Sequence, residues 1–131
     1  MNVAIVATDV RLGSAAFDFQ QFQVLNLRNC IEESVARVFA VSSEDMRGPS
    51  RGRARVAFAR QVAMYLAHVT CEMSLTDVGR LFDRDRTTVA HACIVVEDRR
   101  DDPALDRCLD VLESIARGIA RFAGRQHDCE I

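Results

Sequence analysis

Residues 82–93 read FDRDRTTVAHAC, and they concentrate two arginines, two aspartates and two threonines just before a run of small apolar residues. Arginine can bind guanine O6 and N7 bidentately, threonine can bond a base edge or contact a thymine methyl, and aspartate can accept from cytosine N4. A helix that begins here would also favour a phosphate, through its free N–H groups and its dipole. Asp85 has an alternative role, because it could cap the helix or pair with Arg84 or Arg86. These side-chain types suit contact with a nucleic acid.

Two helices and a tight turn are predicted to position this group. Ser74 is a good N-cap, with Asp77 three residues later as a variant of the capping box, and a short helix follows over about residues 75–82. FDRD forms the turn, and Asp85 is placed to cap a second helix over about residues 86–99. Helical spacing predicts that the inner face of this second helix consists of Val89, Cys93 and Val96.

A short helix, a tight turn and a longer helix that opens with Arg-Thr-Thr have helix-turn-helix geometry. In that motif the first residues of the second helix reach base edges in the major groove, while the first helix crosses the backbone. The same arrangement also occurs in plain helical hairpins, so the spacing alone leaves both interpretations open.

The remainder of the chain also shows helical periodicity, which predicts an all-α fold. Helices are expected over about residues 27–39 and 53–69, and from Pro103 to about Phe122. A connector rich in serine, glycine and proline is expected between the first two of these, at residues 42–52.

Three segments follow from this reading of the chain. Residues 1–26 form an N-terminal segment of uncertain structure, in which VAIVATDV could be a short strand. Residues 27–122 form one domain of five to six helices, and residues 123–131 form a loose C-terminal tail.

The composition is that of an ordinary globular chain, with 131 residues of which 49% are hydrophobic and 27% are charged. No stretch is apolar enough to span a bilayer, and the first residues do not resemble a secretory signal, so we expect a cytoplasmic protein without membrane contact. The five cysteines are widely spread and lack metal-site spacing. We expect no metal or other cofactor, and we expect Cys30, Cys71, Cys93 and Cys108 to serve as small apolar residues.

Charge is distributed unevenly along the chain. All 17 basic residues are arginine, and five of them lie between positions 47 and 60 without an acid. Such a block can bind a polyanion even though the formal net charge is −2, but it could also be a solvated helix start. Residues 97–113, by contrast, contain seven acids and three arginines.

The order and spacing of these segments resemble the C-terminal DNA-binding domain of the bacterial chromosomal replication initiator, DnaA. The matching segments lie within about residues 27–115 and read LRNCIEESVARVFAVSSEDM, ARQVAMYL, SLTDVG and RDRTTVAHAC. The resemblance implies an all-helical domain related to the Trp-repressor type, which binds a short asymmetric site on double-stranded DNA. It also implies that the second helix of the motif reads the major groove, and that a basic loop before the long helix reaches the minor groove.

The resemblance assigns roles by position. Base readout is implied for Asp85, Arg86, Thr87 and Thr88. Contacts with phosphates or the minor groove are implied for Arg51, Arg53, Arg55, Arg60, Gln61, His68 and Arg84. Within this second group, the matches to phosphate-binding positions are Arg60, Gln61 and His68.

Two departures from the family pattern are visible. The family turn Phe-Gly-Gly-Arg-Asp-His is replaced by FDRDR, which is one residue shorter, lacks glycine and has Arg86 in place of histidine. We therefore expect a target sequence that differs from the initiator's own. No G-x-x-x-x-G-K-[ST] loop occurs, and a chain without lysine cannot supply the P-loop lysine, so we expect no nucleotide binding and no ATPase domain.

Other polar residues have simpler interpretations. His91 lies beyond the first turn of the second helix, so it is expected to have a structural role or to support the base-reading residues. Met64 and Tyr65 are expected to pack in the core. No spacing of serine, cysteine, histidine and carboxylates would assemble a nucleophile with its base, so we do not expect an enzyme.

Two functional hypotheses remain at this point. The first is a bacterial, nucleoid-associated protein that binds specific DNA sequences, and that regulates transcription or modulates replication initiation by occupying initiator-like sites. The second is a protein-interaction module, in which residues 1–26 or the acidic residues 97–113 bind a partner. A homodimer could form through the N-terminal segment or the last helix.

Overall fold

The computed structural model describes residues 19–48 and 54–128, and within them it describes side chains for residues 26–48 and 54–122. Over these ranges the chain forms six α-helices and no strand, which confirms the predicted all-α fold. The helices are α1 (Phe19–Phe39), α2 (Ser43–Arg47), α3 (Ala54–Tyr65), α4 (Leu75–Phe82), α5 (Arg86–Arg99) and α6 (Pro103–Asp128). A π-helical turn, Leu66–Thr70, continues α3.

Helix α3 lies at the centre of the fold, where it contacts α1, α2 and α5. Apolar residues surround much of its circumference, as is typical of a helix that is buried on several sides. Val62 of α3 is fully buried, together with Val35 of α1 and Val89 of α5. Leu109 and Leu112 close the same core from α6.

Two helices extend beyond their predicted limits. Helix α1 begins at Phe19, so it includes part of the segment that the sequence left unassigned. Helix α6 continues to Asp128, past the predicted end near Phe122, and residues 123–128 are therefore helical where a loose tail was expected. The possible strand at residues 3–10 lies outside the described residues.

The predicted connector at residues 42–52 contains helix α2, so that prediction is wrong for residues 43–47. The Ser42 hydroxyl accepts a hydrogen bond from the Asp45 N–H at 3.0 Å, which satisfies one of the free donors of the first turn. Met46 is buried against the core and fixes the helix on the protein. A helix of only five residues is too short to show helical periodicity within a segment rich in serine, glycine and proline.

The cysteines differ in burial. Cys71 and Cys93 are partly buried and pack against the core, as predicted. Cys30 and Cys108 are exposed, so the prediction of an apolar packing role is wrong for these two. Helical spacing placed Cys108 beside buried neighbours, but it lies to one side of the buried face of α6.

Three acidic residues of α6 surround one partly buried arginine. Arg100 donates to Asp110 and Glu113 at 2.7 Å each, and it also pairs with Asp106. The same guanidinium donates to the Tyr65 hydroxyl at 3.0 Å, and that hydroxyl donates to Glu97 at 2.9 Å.

This network joins α3, α5 and α6 through polar contacts that the sequence did not predict. Burial raises the pKa of Tyr65 to about 12. Burial opposes the charged form of Arg100, but hydrogen bonds to Asp106, Glu113 and Tyr65 outweigh it and raise the pKa of Arg100. Tyr65 is buried as predicted, and its hydroxyl has a partner on each side.

Candidate DNA-binding surface

The helix-turn-helix predicted from the sequence is present as α4, a turn and α5. Ser74 caps α4, because its hydroxyl accepts from the Asp77 N–H at 3.0 Å. Helix α4 buries Val78, Leu81 and Phe82, which attach it to the core. Helix α5 extends over the predicted residues and buries Val89, Ala92 and Val96.

The shortened turn closes without glycine because Asp83 adopts the left-handed conformation, with φ 58° and ψ 51°. Aspartate and asparagine tolerate this region better than most residues do. The Arg84 N–H then donates to the Gly79 carbonyl at 2.8 Å. A Cβ on residue 79 would lie 2.6 Å from the Arg84 carbonyl oxygen, so only glycine at this position allows α4 and the turn to approach so closely.

This turn presents a row of exposed polar side chains, which are those of Arg84, Asp85, Arg86 and Thr87. Asp85 occupies the N-cap position of α5, but its carboxylate accepts no capping hydrogen bond. The predicted side-chain cap is therefore absent. Within the described part of the chain, Asp85 also forms no ion pair with Arg84 or Arg86. Thr88 is partly buried behind this row.

His91 lies on the same side of α5 as Thr87, one helical turn later, and it is exposed. His91 therefore does not pack in the core, and its structural or supporting role stays a prediction. Ile94 continues this face and is 60% exposed. The spacing of residues 87, 91 and 94 could have revealed this outer face from the sequence.

Arg60 has a structural environment that the sequence did not predict. Its guanidinium donates to the Met46 carbonyl at 3.1 Å, to the Asp45 carbonyl at 2.6 Å and to the Gly48 carbonyl at 2.7 Å. These carbonyls lie in the last turn of α2 and at its C-cap, where a helix has acceptors that its own N–H groups do not fully satisfy. Arg60 therefore fastens α2 to α3, and its phosphate-binding role stays a prediction.

The other residues assigned to the DNA backbone are more accessible. Gln61 is half-exposed, and Arg55 is exposed at the start of α3. His68 is half-buried, and its Nδ1 donates to the Met73 carbonyl at 2.7 Å. Arg51 and Arg53 lie outside the described residues.

A basic cavity of about 340 Å³ lies between α1, the end of α2 and the turn. The arginines that line it are Arg28, Arg47, Arg60 and Arg84. Glu32, which is 3% exposed, balances part of this charge by accepting from Arg28 at 3.0 Å and from Arg47 at 3.4 Å. Arg28 also donates to the Leu81 carbonyl at 2.8 Å, so it holds α1 against the end of α4.

Arg47 belongs to the basic block at residues 47–60, whereas no role was predicted for Arg28. The Arg28–Glu32 pair has the i, i+4 spacing of a helical ion pair, which was visible in the sequence. The contact of Arg28 with the end of α4 was not visible, because it joins positions that are 53 residues apart.

Comparisons with known proteins identify the family. The sequence model described as "Bacterial dnaA protein helix-turn-helix" matches residues 29–96, which include α2 to α4 and most of α1 and α5. The chain is 39% identical over 84 residues to the chromosomal replication initiator protein DnaA of Lachnoclostridium phytofermentans, a match that covers 63% of this chain and 18% of the relative. It is 44% identical over 69 residues to that of Bifidobacterium animalis, covering 52% of this chain and 12% of the relative.

A solved structure also matches. The crystal structure of a DNA replication initiation factor aligns with a TM-score of 0.65 at 33% identity, and it covers 76% of this chain and 30% of that one. The chain therefore spans a fifth or less of the first relatives that it matches in sequence. No helix of the described residues has the length and apolar character needed to cross a membrane. The family match extends over more than half of the chain, and the chain belongs to the bacterial DnaA helix-turn-helix family.

Proposed function

We propose that this chain binds double-stranded DNA and recognises a specific sequence through the first turn of α5. The observation that carries the proposal is the row of exposed side chains at residues 84–87, at the start of the second helix of a helix-turn-helix. Hydrogen-bonding groups that have no partner in the folded chain are available to a ligand. This position is the one from which helices of this motif contact base edges.

The side chains divide into two groups by their chemistry. Arg86 is suited to guanine, Thr87 to a base edge or a thymine methyl, and Asp85 to cytosine N4. Thr88 is partly buried, so we propose that it lies at the margin of the base-reading surface formed by Asp85, Arg86 and Thr87. Arg84 lies in the turn and also lines the basic cavity, and its positive charge suits a contact with a phosphate.

Phosphate contacts position a protein on DNA without reading its sequence. Arg55 and Gln61 are exposed or half-exposed on α3 and suit this role. His68 donates through Nδ1 to a backbone carbonyl, so it could donate to a phosphate through Nε2 only as the doubly protonated imidazolium.

The biological role that we propose is occupancy of DNA sites, with regulation of transcription or of replication initiation as the outcome. The relatives named chromosomal replication initiator protein support the replication context. Occupancy needs no chemistry from the protein, and we propose a nucleoid-associated protein that acts without nucleotide.

The alternative of a protein-interaction module has less support at the acidic region. Asp106, Asp110 and Glu113 pair with Arg100, and Glu97 accepts from Tyr65, so these carboxylates are already engaged. That hypothesis also gives no role to the exposed side chains of residues 84–87 at the start of α5.

The test is selection of binding sites from a random duplex pool, followed by affinity measurements at several salt concentrations. We expect Thr87→Ala to lose roughly 1–3 kcal/mol on the selected site and to relax the preference at one position. Arg55→Ala is the matched phosphate variant, and it should weaken all sequences alike and lower the salt slope by about 1. Absence of both enrichment and salt-dependent binding by the wild type would rule out the proposal.

Arg60→Ala is a poor choice for this experiment. The variant would remove the guanidinium that donates to three carbonyl oxygens at the end of α2, and of these the Asp45 oxygen would keep only the Gly48 N–H, at 3.3 Å. It would therefore disturb the fold as well as any phosphate contact.

A further inference from the structure

The turn that presents residues 84–87 is supported from behind by α1. Arg28 of α1 donates from its guanidinium to the Leu81 carbonyl at 2.8 Å. The same guanidinium lies over the ring of Phe82, with its Cζ atom 5.1 Å from the ring centroid. Leu81 and Phe82 are the last two residues of α4, so Arg28 contacts this helix at the point where it ends and the turn begins.

Arg28 completes the C-terminal cap of α4. The N–H groups of the turn donate to the Gly79 and Arg80 carbonyls. The Leu81 carbonyl is the next acceptor along the helix, and Arg28 donates to it. The last carbonyls of a helix need donors from outside the helix, and the helix dipole favours a positive charge beside them. The donor comes here from a residue 53 positions away in the sequence.

A buried carboxylate fixes the Arg28 side chain. Glu32 lies one helical turn later on α1, is 3% exposed and accepts from Arg28 Nε at 3.0 Å. Its other oxygen accepts from Arg47, in the last turn of α2, at 3.4 Å. A buried charge is costly unless it is paired, so Glu32 favours the arrangement in which Arg28 stays beside it. Arg28 serves the carboxylate through Nε and the Leu81 carbonyl through Nη1, a planar fork that the single nitrogen of lysine lacks.

We propose that Arg28, held by Glu32, is a positioning residue for sequence recognition. It fixes the end of α4 and thereby the turn from which residues 84–87 reach the DNA. The inference rests on the proposed DNA binding, because the position of the turn matters for readout only if these residues contact bases. A base contact needs a defined placement of each donor and acceptor, whereas phosphate contacts carry no sequence information. Loss of this support should therefore reduce sequence discrimination more than the general affinity for DNA.

Arg28 also lines the basic cavity, so positioning has to be distinguished from a direct contact with a phosphate. Arg28→Lys makes this distinction. The variant keeps the positive charge, which a phosphate accepts from lysine as well as from arginine, and it keeps a partner for Glu32. It removes the fork that joins the carboxylate to the end of α4.

The first test compares the wild type with Arg28→Lys on two duplexes, the site selected from the random pool and a scrambled version of it. We expect the ratio of the two affinities to fall by roughly tenfold, which is about the contribution of one good base contact. Arg37→Lys is the matched control, because Arg37 is an exposed arginine on the same helix, and it should leave the ratio unchanged. An unchanged ratio for Arg28→Lys would overturn the proposal. An equal loss on both duplexes would also overturn it, because a phosphate contact or partial unfolding has that effect.

Glu32→Gln separates positioning from charge. The variant removes a negative charge from a cavity that four arginines line, so charge alone predicts tighter binding to both duplexes. Positioning predicts that the ratio of the two affinities falls, because a neutral amide holds Arg28 less strongly than a carboxylate does. A rise by the same factor on both duplexes would contradict the positioning role.

Amide hydrogen exchange of the free protein tests the support of the turn without DNA. The Arg84 N–H reports the turn, because it donates to the Gly79 carbonyl at 2.8 Å, and the Val41 N–H reports the far end of α1, where it donates to the Ala36 carbonyl at 3.0 Å. We expect Arg28→Lys to speed exchange at Arg84 by roughly tenfold, the equivalent of one hydrogen bond to a charged group, and to leave Val41 unchanged.

The two kinds of measurement separate this inference from the proposed function. Unchanged exchange at Arg84, or equal acceleration at Arg84 and Val41, would overturn the positioning role even if the wild type binds DNA. A wild type that shows the expected exchange but binds neither duplex would refute the proposed DNA binding, and the recognition role of Arg28 with it.

Discussion

Gly79 lies so close to the turn that we expect Gly79→Ala to destabilise the protein, although helix propensity alone predicts that it stabilises it. Alanine is favoured over glycine inside a helix by roughly 0.5–1 kcal/mol, so propensity alone predicts that Gly79→Ala stabilises the protein. The added Cβ would lie 2.6 Å from the Arg84 carbonyl oxygen, which is closer than such contacts occur. The turn cannot move away freely, because the Arg84 N–H is bonded to the Gly79 carbonyl at 2.8 Å.

The net effect follows from these two contributions. Overpacking at a constrained site costs roughly 1–3 kcal/mol, and the gain from propensity offsets up to about 1 kcal/mol of it. We expect Gly79→Ala to destabilise the protein by about 1–2 kcal/mol. At about 4–8 °C per kcal/mol for a domain of this size, Tm should fall by several degrees to about 15 °C. The affinity for DNA should fall as well, because the turn presents Arg84 to Thr87.

The chain contains its own control for this experiment. Gly118 lies inside α6, and a Cβ there meets no atom within 4 Å. Gly118→Ala should therefore stabilise the monomer by roughly 0.5–1 kcal/mol. Both variants are measured by urea and thermal unfolding at protein concentrations too low for self-association. A Gly79→Ala variant as stable as the wild type, or a shift of both variants in the same direction, would show that the contact between residue 79 and the turn does not limit the side chain there.

Three further predictions concern the network of Tyr65 and Arg100, the C-cap residue Asp83 and the N-cap residue Ser74. The chain has a single tyrosine, so ultraviolet absorbance reports Tyr65 alone, and its phenol should ionise near pH 12. The folded state holds this proton to a higher pH than the unfolded chain does, so the free energy of unfolding should decline as pH rises from about 10 to about 12. Tyr65→Phe should abolish that decline. It should also cost about 1–2 kcal/mol near neutral pH, because it removes a partner of Glu97 and Arg100. Asp83→Gly should leave thermal stability unchanged or raise it, because φ at this residue is 58°, whereas a clear loss would show that the carboxylate matters. Ser74→Ala should cost about 1 kcal/mol in urea unfolding by removing the cap of α4, and an unchanged midpoint would contradict the assigned cap.

Local signals allowed much of the helix-turn-helix to be predicted. Ser74 and the apolar residues that follow it fixed α4, and Val89 and Val96 marked the buried face of α5. Caps and helical periodicity depend on residues only a few positions apart, so a single sequence displays them. The row of polar residues at 84–87 was found for the same reason.

Features that depend on distant contacts could not be predicted in this way. The phosphate role of Arg60 stays a prediction, but the contact of its guanidinium with carbonyls at the end of α2 could not be foreseen. Arg100 belongs to the acidic residues 97–113, and it is 17% exposed and pairs with three carboxylates. Helix α6 has apolar residues on two faces, and the spacing does not tell which face the core will use.

Arg86 gives the most direct test of whether the first turn of α5 reads DNA sequence. Binding sites should be selected from one random duplex pool by the wild type, by Arg86→His and by Arg80→His, an exposed arginine on α4 that serves as the control. We predict that Arg86→His changes the preferred base at one or two adjacent positions and leaves the others intact, while Arg80→His selects the wild-type sequence. Identical selected sequences for the wild type and Arg86→His would contradict the account.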